Sequence, residues 1–254
     1  MTRVFRSTEV WTSFRDQELV GKTLGFVPTM GALHSGHQSL VAKSVGENEF
    51  TLVSIFVNPT QFNDSKDLEK YPRTFEADLK CLEEVEADFL LYPEYSEIYA
   101  DSYRYKITES QFSHTLCGAH RPAHFDGVLT VVMKLLQIAG ANHAYFGEKD
   151  FQQLELIRGM ADAFFLRTQI HGLPTLREKD GLAMSSRNTR LSGADREKAP
   201  LIYKLIENRQ KTVAQIRKEL IQNGFEVDYV EELRGRRFVA ANLGGVRLID
   251  NVSI

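Results

Sequence analysis

Short apolar runs alternate with helical patterns over the first two-thirds of the chain, and this alternation constrains the possible folds more than any other feature. Five runs have the length and composition of buried strands: TLGFVPT (23–29), LVSIFVN (52–58), DFLLY (88–92), HAYFG (143–147) and TQIHGLP (168–174). Helical patterns separate them, from residue 36 onwards and at 74–86, 127–139 and 151–165. Repeated strand–helix–strand order predicts an α/β fold, with a parallel sheet covered by helices on both faces.

The helical pattern at 127–139 indicates how the sheet is covered. Its apolar residues fall at helical spacing on one stripe, which consists of Val128, Val131, Val132, Leu135 and Leu136. Right-handed crossovers through such helices bring the carboxyl ends of the strands to one edge of the sheet. Ligands bind at that edge in open α/β sheets, so we expect functional residues directly after the strands.

The pattern changes after residue 174. Residues 194–222 are helical and charged, and residues 225–254 read as strands with a hairpin turn at Gly244-Gly245. The sequence therefore predicts a large first domain, residues 1–174, followed by a smaller α+β C-terminal domain, residues 175–254.

Composition argues against several classes of protein. The formal net charge is −3, and no basic cluster suggests a nucleic-acid or anionic-membrane partner. No window approaches the ~20 apolar residues of a membrane span, and the first residues lack the pattern of a secretory signal. Cys81 and Cys117 lie far apart and form no CxxC pair, which favours a reducing compartment. We therefore expect a cytoplasmic protein.

The segment PTMGALHSGH, residues 28–37, follows a predicted strand and begins a predicted helix. Backbone N–H groups at such a junction, with the positive end of the helix, form an anion site for which a triphosphate is the obvious ligand. Gly31 and Gly36 allow a tight turn and close approach of a ligand to the backbone. His34 and His37 lie three residues apart, so both rings can share one side of the first helical turn.

Two imidazoles at this place can donate hydrogen bonds to phosphate oxygens. The helix terminus supplies only about 0.3–1 kcal/mol at an exposed site. A preorganised donor in a dry site supplies about 3–4 kcal/mol, so the histidines should matter more than the helix dipole. An isolated HxxH is more often a zinc site or a pair of surface histidines, but the strand–glycine–HxGH–helix context favours phosphate.

A second motif, EKDGLAMSSRN, spans residues 178–188 at the start of the smaller domain. Gly181, Ser185, Ser186 and Arg187 offer small donors and one charge that can pair with β- and γ-phosphates. A lone SSR would normally be a solvated loop. Together with HxGH, it resembles the second phosphate-binding loop of the HIGH-type nucleotidyltransferase superfamily, with Arg187 in place of the usual lysine.

A third motif, YFGEKDFQQL, spans residues 145–154 at a strand-to-helix junction. Lys149 can neutralise a phosphate, Asp150 can accept from a ribose hydroxyl, and Gln153 faces the same crevice one turn into the helix. Seen alone, a charged EKD before a helix is more often only a capped helix start.

A fourth motif, VSIFVNPTQF, spans residues 53–62 and puts Asn58 and Gln61 after a buried strand. Uncharged amides suit a substrate whose carboxylate is the nucleophile, because a tight arginine pair would stabilise that anion in the ground state.

These blocks together resemble the pantothenate synthetases, the pantoate–β-alanine ligases. The resemblance runs in order from about residue 22 to 190 and rests on PTMGALHSGH, FVNPTQF, DLEKYPRT, CGAHRPAHFDGVLTVV, YFGEKDFQQL and AMSSRN, with RLIDN (247–251) near the end. It implies a Rossmann-like N-terminal domain, a smaller C-terminal lid and a homodimer. It also implies an ATP-dependent ligase, working with Mg²⁺, that adenylates pantoate, releases pyrophosphate and passes the pantoyl group to β-alanine, releasing AMP.

The resemblance also implies roles for individual residues. His34, His37 and Lys149 would be catalytic, and His37 would stabilise charge rather than donate a proton. ATP would contact Met30, Gly31, Ala32, Leu33, His34, Ser35, Gly36, His37, Gly147, Glu148, Lys149, Asp150, Leu176, Met184, Ser185, Ser186 and Arg187. The substrates would contact Gln61, Gln153, Asn58 and His124. Ala123 stands where the family usually has glycine, so the loop backbone is expected to differ there.

Two other functions fit parts of this pattern. An adenylyltransferase of the same superfamily would keep AMP in its product, but it needs cations for a phosphorylated acceptor where this chain offers Asn58 and Gln61. A catalytically silent ATP-binding module is the other alternative, although every element of the predicted site is present. Pantoate-dependent release of pyrophosphate distinguishes the ligase from the silent module.

Overall fold

The computed structural model describes all 254 residues, Met1–Ile254, and contains two sheets. Six strands form a wholly parallel sheet in the order β1-β4-β3-β2-β5-β6: β1 Arg3–Phe5, β2 Leu24–Thr29, β3 Phe50–Ile55, β4 Phe89–Leu91, β5 His143–Gly147 and β6 Gln169–Leu173. Three strands form an antiparallel sheet in the order β7-β8-β9: β7 Glu226–Leu233, β8 Arg236–Leu243 and β9 Val246–Ser253. The predicted α/β fold with a smaller α+β part is confirmed.

Eleven α-helices connect these strands. Eight belong to the part with the parallel sheet: α1 Thr8–Glu18, α2 Ser35–Glu47, α3 Ser65–Glu69, α4 Phe75–Glu84, α5 Tyr95–Ile98, α6 Cys117–His120, α7 His124–Ala139 and α8 Phe151–Ala163. Three precede the antiparallel sheet: α9 Gly193–Lys198, α10 Leu201–Glu207 and α11 Val213–Gln222. Short 3₁₀ turns occur at Pro59–Gln61, Phe112–His114, Glu148–Asp150 and Ser186–Arg190. No helix combines the length and the apolar character required to cross a membrane.

Side chains alternate between the two faces of the parallel sheet, and each face has its own core. Phe26 and Leu52 pack in a large apolar cluster with residues of α7 and α8. Their chain neighbours Val27 and Val53 pack in a second cluster with residues of α2 and α4. This alternation is the period-two geometry of a strand between two helical layers. The stripe predicted on 127–139 is confirmed, because all five of its residues are buried.

Strand boundaries follow pairing as well as apolar composition. The predicted strand 143–147 agrees with β5 at both ends, whereas the prediction of 52–58 was shifted from the observed β3. Leu24 pairs with Phe50 and Thr29 pairs with Ile55, so β3 starts and stops with its neighbour β2. The tight hairpin predicted at Gly244-Gly245 is confirmed, since both glycines have positive φ angles of 57° and 75° between β8 and β9.

The strand order creates a crevice between β2 and β5. The chain leaves β2 for β3 on one side, and it later enters β5 on the other side. Connections therefore diverge after these neighbouring strands, as they do at the topological switch point of a Rossmann-type sheet. Residues that follow Thr29 and Gly147 consequently face each other over the same edge.

The two parts share apolar contacts across the proposed domain boundary. A cluster of 14 buried residues lies within 182–248 and forms the core of the smaller part. Tyr229, Phe238 and Ala240 pack instead with the large cluster of the parallel sheet. The division into 1–174 and 175–254 stays a proposal, supported by the strand order and by the separate core cluster.

Candidate active site

A cavity of about 250 Å³ lies at the carboxyl ends of β2, β3 and β5. Residues from all four motifs line it: Met30, His34, Gly36, His37, Asn58, Gln61, Gly147, Lys149, Asp150, Gln153, Met184, Ser185, Ser186 and Arg187, together with His124 and Leu176. Five residues predicted to contact ATP lie outside this lining, namely Gly31, Ala32, Leu33, Ser35 and Glu148. A second cavity, of about 530 Å³, shares Arg121, Lys149, Asp150, Ser185 and Arg187 with the first.

The loop between β2 and α2 is held by a carboxylate that the sequence did not reveal. Asp78, buried at the start of α4, accepts from the backbone N–H of Ala32 at 3.0 Å and of Leu33 at 2.7 Å. Gly31 and Ala32 have φ angles of 79° and 50°, a conformation that L side chains rarely adopt. A Cβ on Gly31 would lie 3.0 Å from Ile55. Asp78 therefore stabilises a strained turn that points the following histidines into the cavity.

The two histidine rings lie against each other with their planes tilted by 34°, and each holds a defined tautomer. Their centroids are 4.1 Å apart. His34 Nδ1 accepts from the backbone N–H of Gly36 at 3.1 Å, and His37 Nδ1 accepts from the backbone N–H of His34 at 3.4 Å. In a neutral imidazole that accepts at Nδ1, the proton lies on Nε2. Each ring thus keeps one Nε2–H donor for a ligand.

Both imidazoles stay neutral well below physiological pH. Burial, followed by the nearby Lys149 ammonium, lowers the pKa of His34 to about 4. Burial, followed by His34 and then Lys149, lowers the pKa of His37 to about 3. The free site therefore offers two neutral hydrogen-bond donors beside one ammonium, which suits stabilisation of an anion better than general-acid catalysis.

The GEKD turn after β5 is held in place from the smaller part of the chain. Asn251, within the RLIDN segment, donates from Nδ2 to the carbonyl oxygens of Glu148 and Lys149 at 2.9 and 3.0 Å. The Lys149 ammonium lies 3.8 Å from the Asp150 carboxylate. Glu148 faces away from the first cavity, and its carboxylate lies 3.6 Å from Arg236. The sequence marked RLIDN as part of the resemblance but gave it no role.

The serine–arginine loop is tied to α3 through ion pairs. Asp67 accepts from Arg187 at 3.0 Å and from Arg190 at 2.6 Å. Burial opposes ionisation of this carboxyl group, but Arg190 and Arg187 outweigh it and lower the pKa of Asp67. The side chain of Ser185 accepts from the backbone N–H of Arg187 at 3.2 Å and starts the 3₁₀ turn.

Asn58 and Gln61, at the opposite end of the cavity, differ in how firmly their side chains are hydrogen-bonded within the protein. Asn58 is 1% exposed, and its Nδ2 donates to Gln61 Oε1 at 3.0 Å and to the Gly127 carbonyl at 3.1 Å. Its Oδ1 accepts from the Tyr99 hydroxyl at 2.9 Å. These bonds support a positioning role for Asn58, and direct contact with a substrate stays a prediction. Gln61 Nε2 donates only to the weak acceptor Met30 Sδ, at 3.1 Å, so a ligand can replace that contact.

The two adjacent glutamines of α8 have different environments: the side chain of Gln152 is bonded within the protein, and that of Gln153 is free. Gln152 is buried and bonded to the carbonyls of Phe112 and Thr115 and to the N–H of Cys117. Gln153 lines the first cavity, and its side-chain amide makes no hydrogen bond within the protein. The predicted placement of Gln153 in the crevice is therefore matched by an amide available to a ligand.

His124 connects the backbone of Gln61 to Arg121. The His124 Nδ1–H donates to the Gln61 carbonyl at 2.8 Å, which leaves Nε2 to accept from Arg121 Nη1 at 3.0 Å. Burial, followed by Arg121, lowers the pKa of His124 to about 3. His124 is thus a neutral spacer. Sequence reasoning missed Arg121, although it lies three residues before His124 in the HRPAHF block.

Ala123, which replaces the glycine usual in the resembled family, adopts an unfavourable backbone conformation. Ala123 precedes α7 with φ 61° and ψ 2°, the left-handed conformation that glycine adopts without strain. Its side chain offers no cap to the helix. The alanine is accommodated in a glycine-type backbone at a conformational cost.

Comparison with known proteins agrees with this geometry. The model of the family described as pantoate-beta-alanine ligase matches residues 3–253. The pantothenate synthetase of Bdellovibrio bacteriovorus is 54% identical over the full length of both chains, and that of Legionella pneumophila is 49% identical over 98% of each. A crystal structure of pantoate-beta-alanine ligase from Francisella tularensis, complexed with beta-gamma ATP and beta-alanine, superimposes with a TM-score of 0.95 at 39% identity, covering 100% of this chain and 98% of the other. Pantothenate synthetase from Thermus thermophilus gives a TM-score of 0.90 at 35% identity, with 99% of each chain covered.

Proposed function

The chain belongs to the pantoate–β-alanine ligase family, and from this premise we propose how its cavity carries out the reaction. The protein is an enzyme that uses ATP to ligate pantoate to β-alanine. We assign two steps, formation of a pantoyl adenylate and transfer of the pantoyl group to the amine. The observation that carries this assignment is the pair of neutral imidazoles, His34 and His37, each with a free Nε2–H beside Lys149.

In the first step, a carboxylate oxygen of pantoate attacks the α-phosphorus of ATP. The new oxygen–phosphorus bond forms as the bond to the β-phosphate oxygen breaks, and pyrophosphate leaves with that electron pair. Negative charge grows on the phosphate oxygens in the transition state, where His34 and His37 donate hydrogen bonds and Lys149 supplies a positive charge. No proton has to move, so neutral imidazoles are sufficient.

The phosphates and the nucleoside would occupy the edge formed by three loops. The loop residues Met30–His37 would surround the α-phosphate. The residues of this loop that do not line the cavity would contribute by setting the conformation of its backbone, namely Gly31, Ala32, Leu33 and Ser35. Ser185, Ser186 and Arg187 would bind the leaving pyrophosphate. Gly147, Asp150, Leu176 and Met184 line the cavity on the side proposed for ribose and adenine.

Pantoate would lie between the amide residues and the apolar stripe of α7. The side-chain amides of Gln61 and Gln153 would form hydrogen bonds with its hydroxyl and carboxylate groups. Asn58 and His124 hold Gln61 in place for this contact. The stripe residues Val128, Val131, Val132 and Leu135 also line the cavity and fit the two methyl groups of pantoate.

In the second step, β-alanine first loses a proton from its ammonium group. The free amine then attacks the carbonyl carbon of the adenylate, a carbon–nitrogen bond forms, and the carbon–oxygen bond to AMP breaks. AMP leaves with the electron pair, and the nitrogen releases a second proton as the amide forms.

We propose that ATP is bound as its magnesium complex. Magnesium at such sites is held mainly by phosphate oxygens and one or two carboxylates, often through water. No group of three or more histidine, cysteine, aspartate or glutamate side chains is placed to hold a metal ion, so phosphate oxygens and water would supply most of its ligands. The ion would neutralise part of the charge on the phosphates.

A homodimer and a cytoplasmic location remain proposals. The dimer is supported by the resemblance and by two adjacent apolar residues after α8, Phe164 and Phe165, which are 55% and 91% exposed. Sedimentation equilibrium tests the dimer directly: a monomer at micromolar concentration would refute it.

Oxygen transfer tests the proposed adenylate. Pantoate labelled with ¹⁸O in its carboxylate should give AMP that contains one ¹⁸O per turnover, because the attacking oxygen stays on phosphorus when the amide forms. Unlabelled AMP would exclude the adenylate. Labelled inorganic phosphate formed together with ADP would point instead to activation at the γ-phosphate.

A further inference from the structure

Arg121 differs from the other arginines around the second cavity. Arg187 and Arg190 pair with Asp67, and Arg247 pairs with Asp228 at 2.8 Å. Arg121 is half-buried and has no carboxylate within ion-pair distance, although it lines both cavities. An arginine in this position without a counter-charge points to an anionic ligand.

The groups around Arg121 leave its positive charge uncompensated. Burial, followed by the guanidinium of Arg247, lowers the pKa of Arg121 to about 10, so the side chain remains charged at neutral pH. Its two hydrogen bonds go to neutral acceptors, from Nη1 to His124 Nε2 and from Nη2 to the Gln61 carbonyl at 3.1 Å. A guanidinium has five N–H donors, so three remain without an acceptor in the protein.

Three anionic groups take part in the proposed reaction, and two of them fit Arg121 poorly. The phosphates already have Lys149, the serine–arginine loop and two histidine donors. The pantoate carboxylate is the nucleophile, and a guanidinium pair would stabilise it in the ground state and slow its attack. The carboxylate of β-alanine takes no part in bond making, so tight pairing there costs nothing in reactivity.

We propose that Arg121 binds the carboxylate of β-alanine and thereby selects an amino acid over a simple amine. The inference rests on the proposed function and extends it to the second substrate. Arg121 is attached to the backbone of Gln61, whose side chain is proposed to bind pantoate, so the two substrates would be aligned through one residue.

Substrate comparison in Arg121→Gln tests this assignment. n-Propylamine matches β-alanine in its amine and chain length but lacks the carboxylate. The variant should raise the KM for β-alanine ~10²-fold or more, as expected when one partner of a desolvated charge pair is removed. It should leave kcat/KM for n-propylamine unchanged, so the preference for β-alanine should fall by the same factor. Arg121→Lys keeps the charge but loses the planar fork, and it should give a smaller rise confined to β-alanine.

The first step serves as an internal control for folding. Pantoate-dependent exchange of pyrophosphate into ATP needs no β-alanine, so Arg121→Gln should retain it within about threefold. Lys70→Gln is the control for loss of a positive charge, because Lys70 is an exposed cation that lines the second cavity together with Arg121. It should change the β-alanine KM by no more than about threefold.

Several outcomes would overturn the proposal. These are an unchanged preference for β-alanine in Arg121→Gln, or a rise in the pantoate KM as large as that for β-alanine. If Arg121→Gln does not fold, an unchanged preference in Arg121→Lys contradicts the proposal in the same way. Absence of pyrophosphate exchange in the unaltered enzyme would refute the adenylate but would leave the role of Arg121 standing. The role of Arg121 is tested separately, because the preference for β-alanine over n-propylamine is measured in the overall ligation.

Discussion

The carboxylate of Asp67 accepts a hydrogen bond from the guanidinium of Arg187 at 3.0 Å, and this contact joins α3 to the serine–arginine loop. The same carboxylate also holds Arg190, so a single acidic residue fixes two cations of that loop. Arg187 lines the first cavity and is the proposed ligand of the leaving pyrophosphate. A bound phosphate and Asp67 would therefore compete for one guanidinium.

Asp67→Asn should tighten the binding of ATP. The ion pair is partly exposed, with about a quarter of each side chain accessible, so its contribution is at most about 1 kcal/mol. We expect the KM for ATP to fall up to about fivefold, with the KM for pantoate unchanged. Steady-state kinetics with each substrate varied in turn measures the effect.

Asp64→Asn is the matched control for this change. Asp64 lines the same second cavity but makes no ion pair, and it caps α3 through the backbone N–H of Lys66. Asparagine caps a helix equally well, so the ATP KM should stay the same. A raised ATP KM in Asp67→Asn would mean that Asp67 holds Arg187 in its binding position rather than competing for it.

His37→Ala should slow adenylation by about 10²–10³-fold, because one preorganised donor to the phosphate oxygens is lost. Pantoate-dependent pyrophosphate exchange measures this step alone, and circular dichroism verifies that the variant folds. His114→Ala, at an exposed position, should retain the normal rate. Adenylation at the normal rate in His37→Ala would refute the proposed role.

Protonation of the buried histidines should destabilise the fold in acid. The folded-state pKa values of His34, His37 and His124 are lowered to about 4, 3 and 3. The unfolded chain binds protons at these residues near pH 6.5, so the folded state loses stability as the pH falls from 6.5 towards 4. The slope is about 1.4 kcal/mol per pH unit for each histidine within that range.

Urea unfolding of His124→Gln provides the measurement. The variant lacks one of these groups, so its deficit in unfolding free energy relative to the unaltered protein should shrink between pH 7.5 and pH 5. A constant deficit over that range would mean that the pKa of His124 is the same in the folded and unfolded states, which would contradict its lowered pKa.

Ala123→Gly should stabilise the protein. Alanine in the left-handed conformation costs about 1–2 kcal/mol, and glycine removes this cost while adding about 0.5–1 kcal/mol of chain entropy. A net gain of about 0.5 kcal/mol should appear as a higher melting temperature. Ala42→Gly, at an exposed position in the interior of α2, should instead lose about 1 kcal/mol. A lower melting temperature in Ala123→Gly would contradict the strain assigned to this residue.

Local patterns were sufficient to predict much of the fold. Val27 and Val53 lie in apolar runs that form neighbouring parallel strands, and the loop ending at His37 joins a strand to a helix as expected. The first strand and helix, residues 3–18, received no prediction. Strand β1 has only three residues, and Trp11 in α1 becomes buried only by packing and by its bond to the Ile138 carbonyl.

The residues that the sequence did not reveal act over long separations along the chain. Asp78 holds backbone groups 45 and 46 residues away, Arg121 bonds to a carbonyl 60 residues away, and Asn251 bonds to carbonyls 102 and 103 residues away. No local spacing marks such contacts, because their geometry exists only after the sheet and the smaller part have assembled. Motifs predicted the groups that face the cavity, and tertiary contacts determine what holds them.

The most direct test of the account is product formation when each substrate is omitted in turn. With ATP and Mg²⁺ present, pyrophosphate should appear only when pantoate is added, in an amount close to one per active site. Sustained formation of AMP and pyrophosphate should require β-alanine as well. Release of pyrophosphate without pantoate, or no pantoate-dependent release from folded protein that binds ATP, would contradict the proposed mechanism.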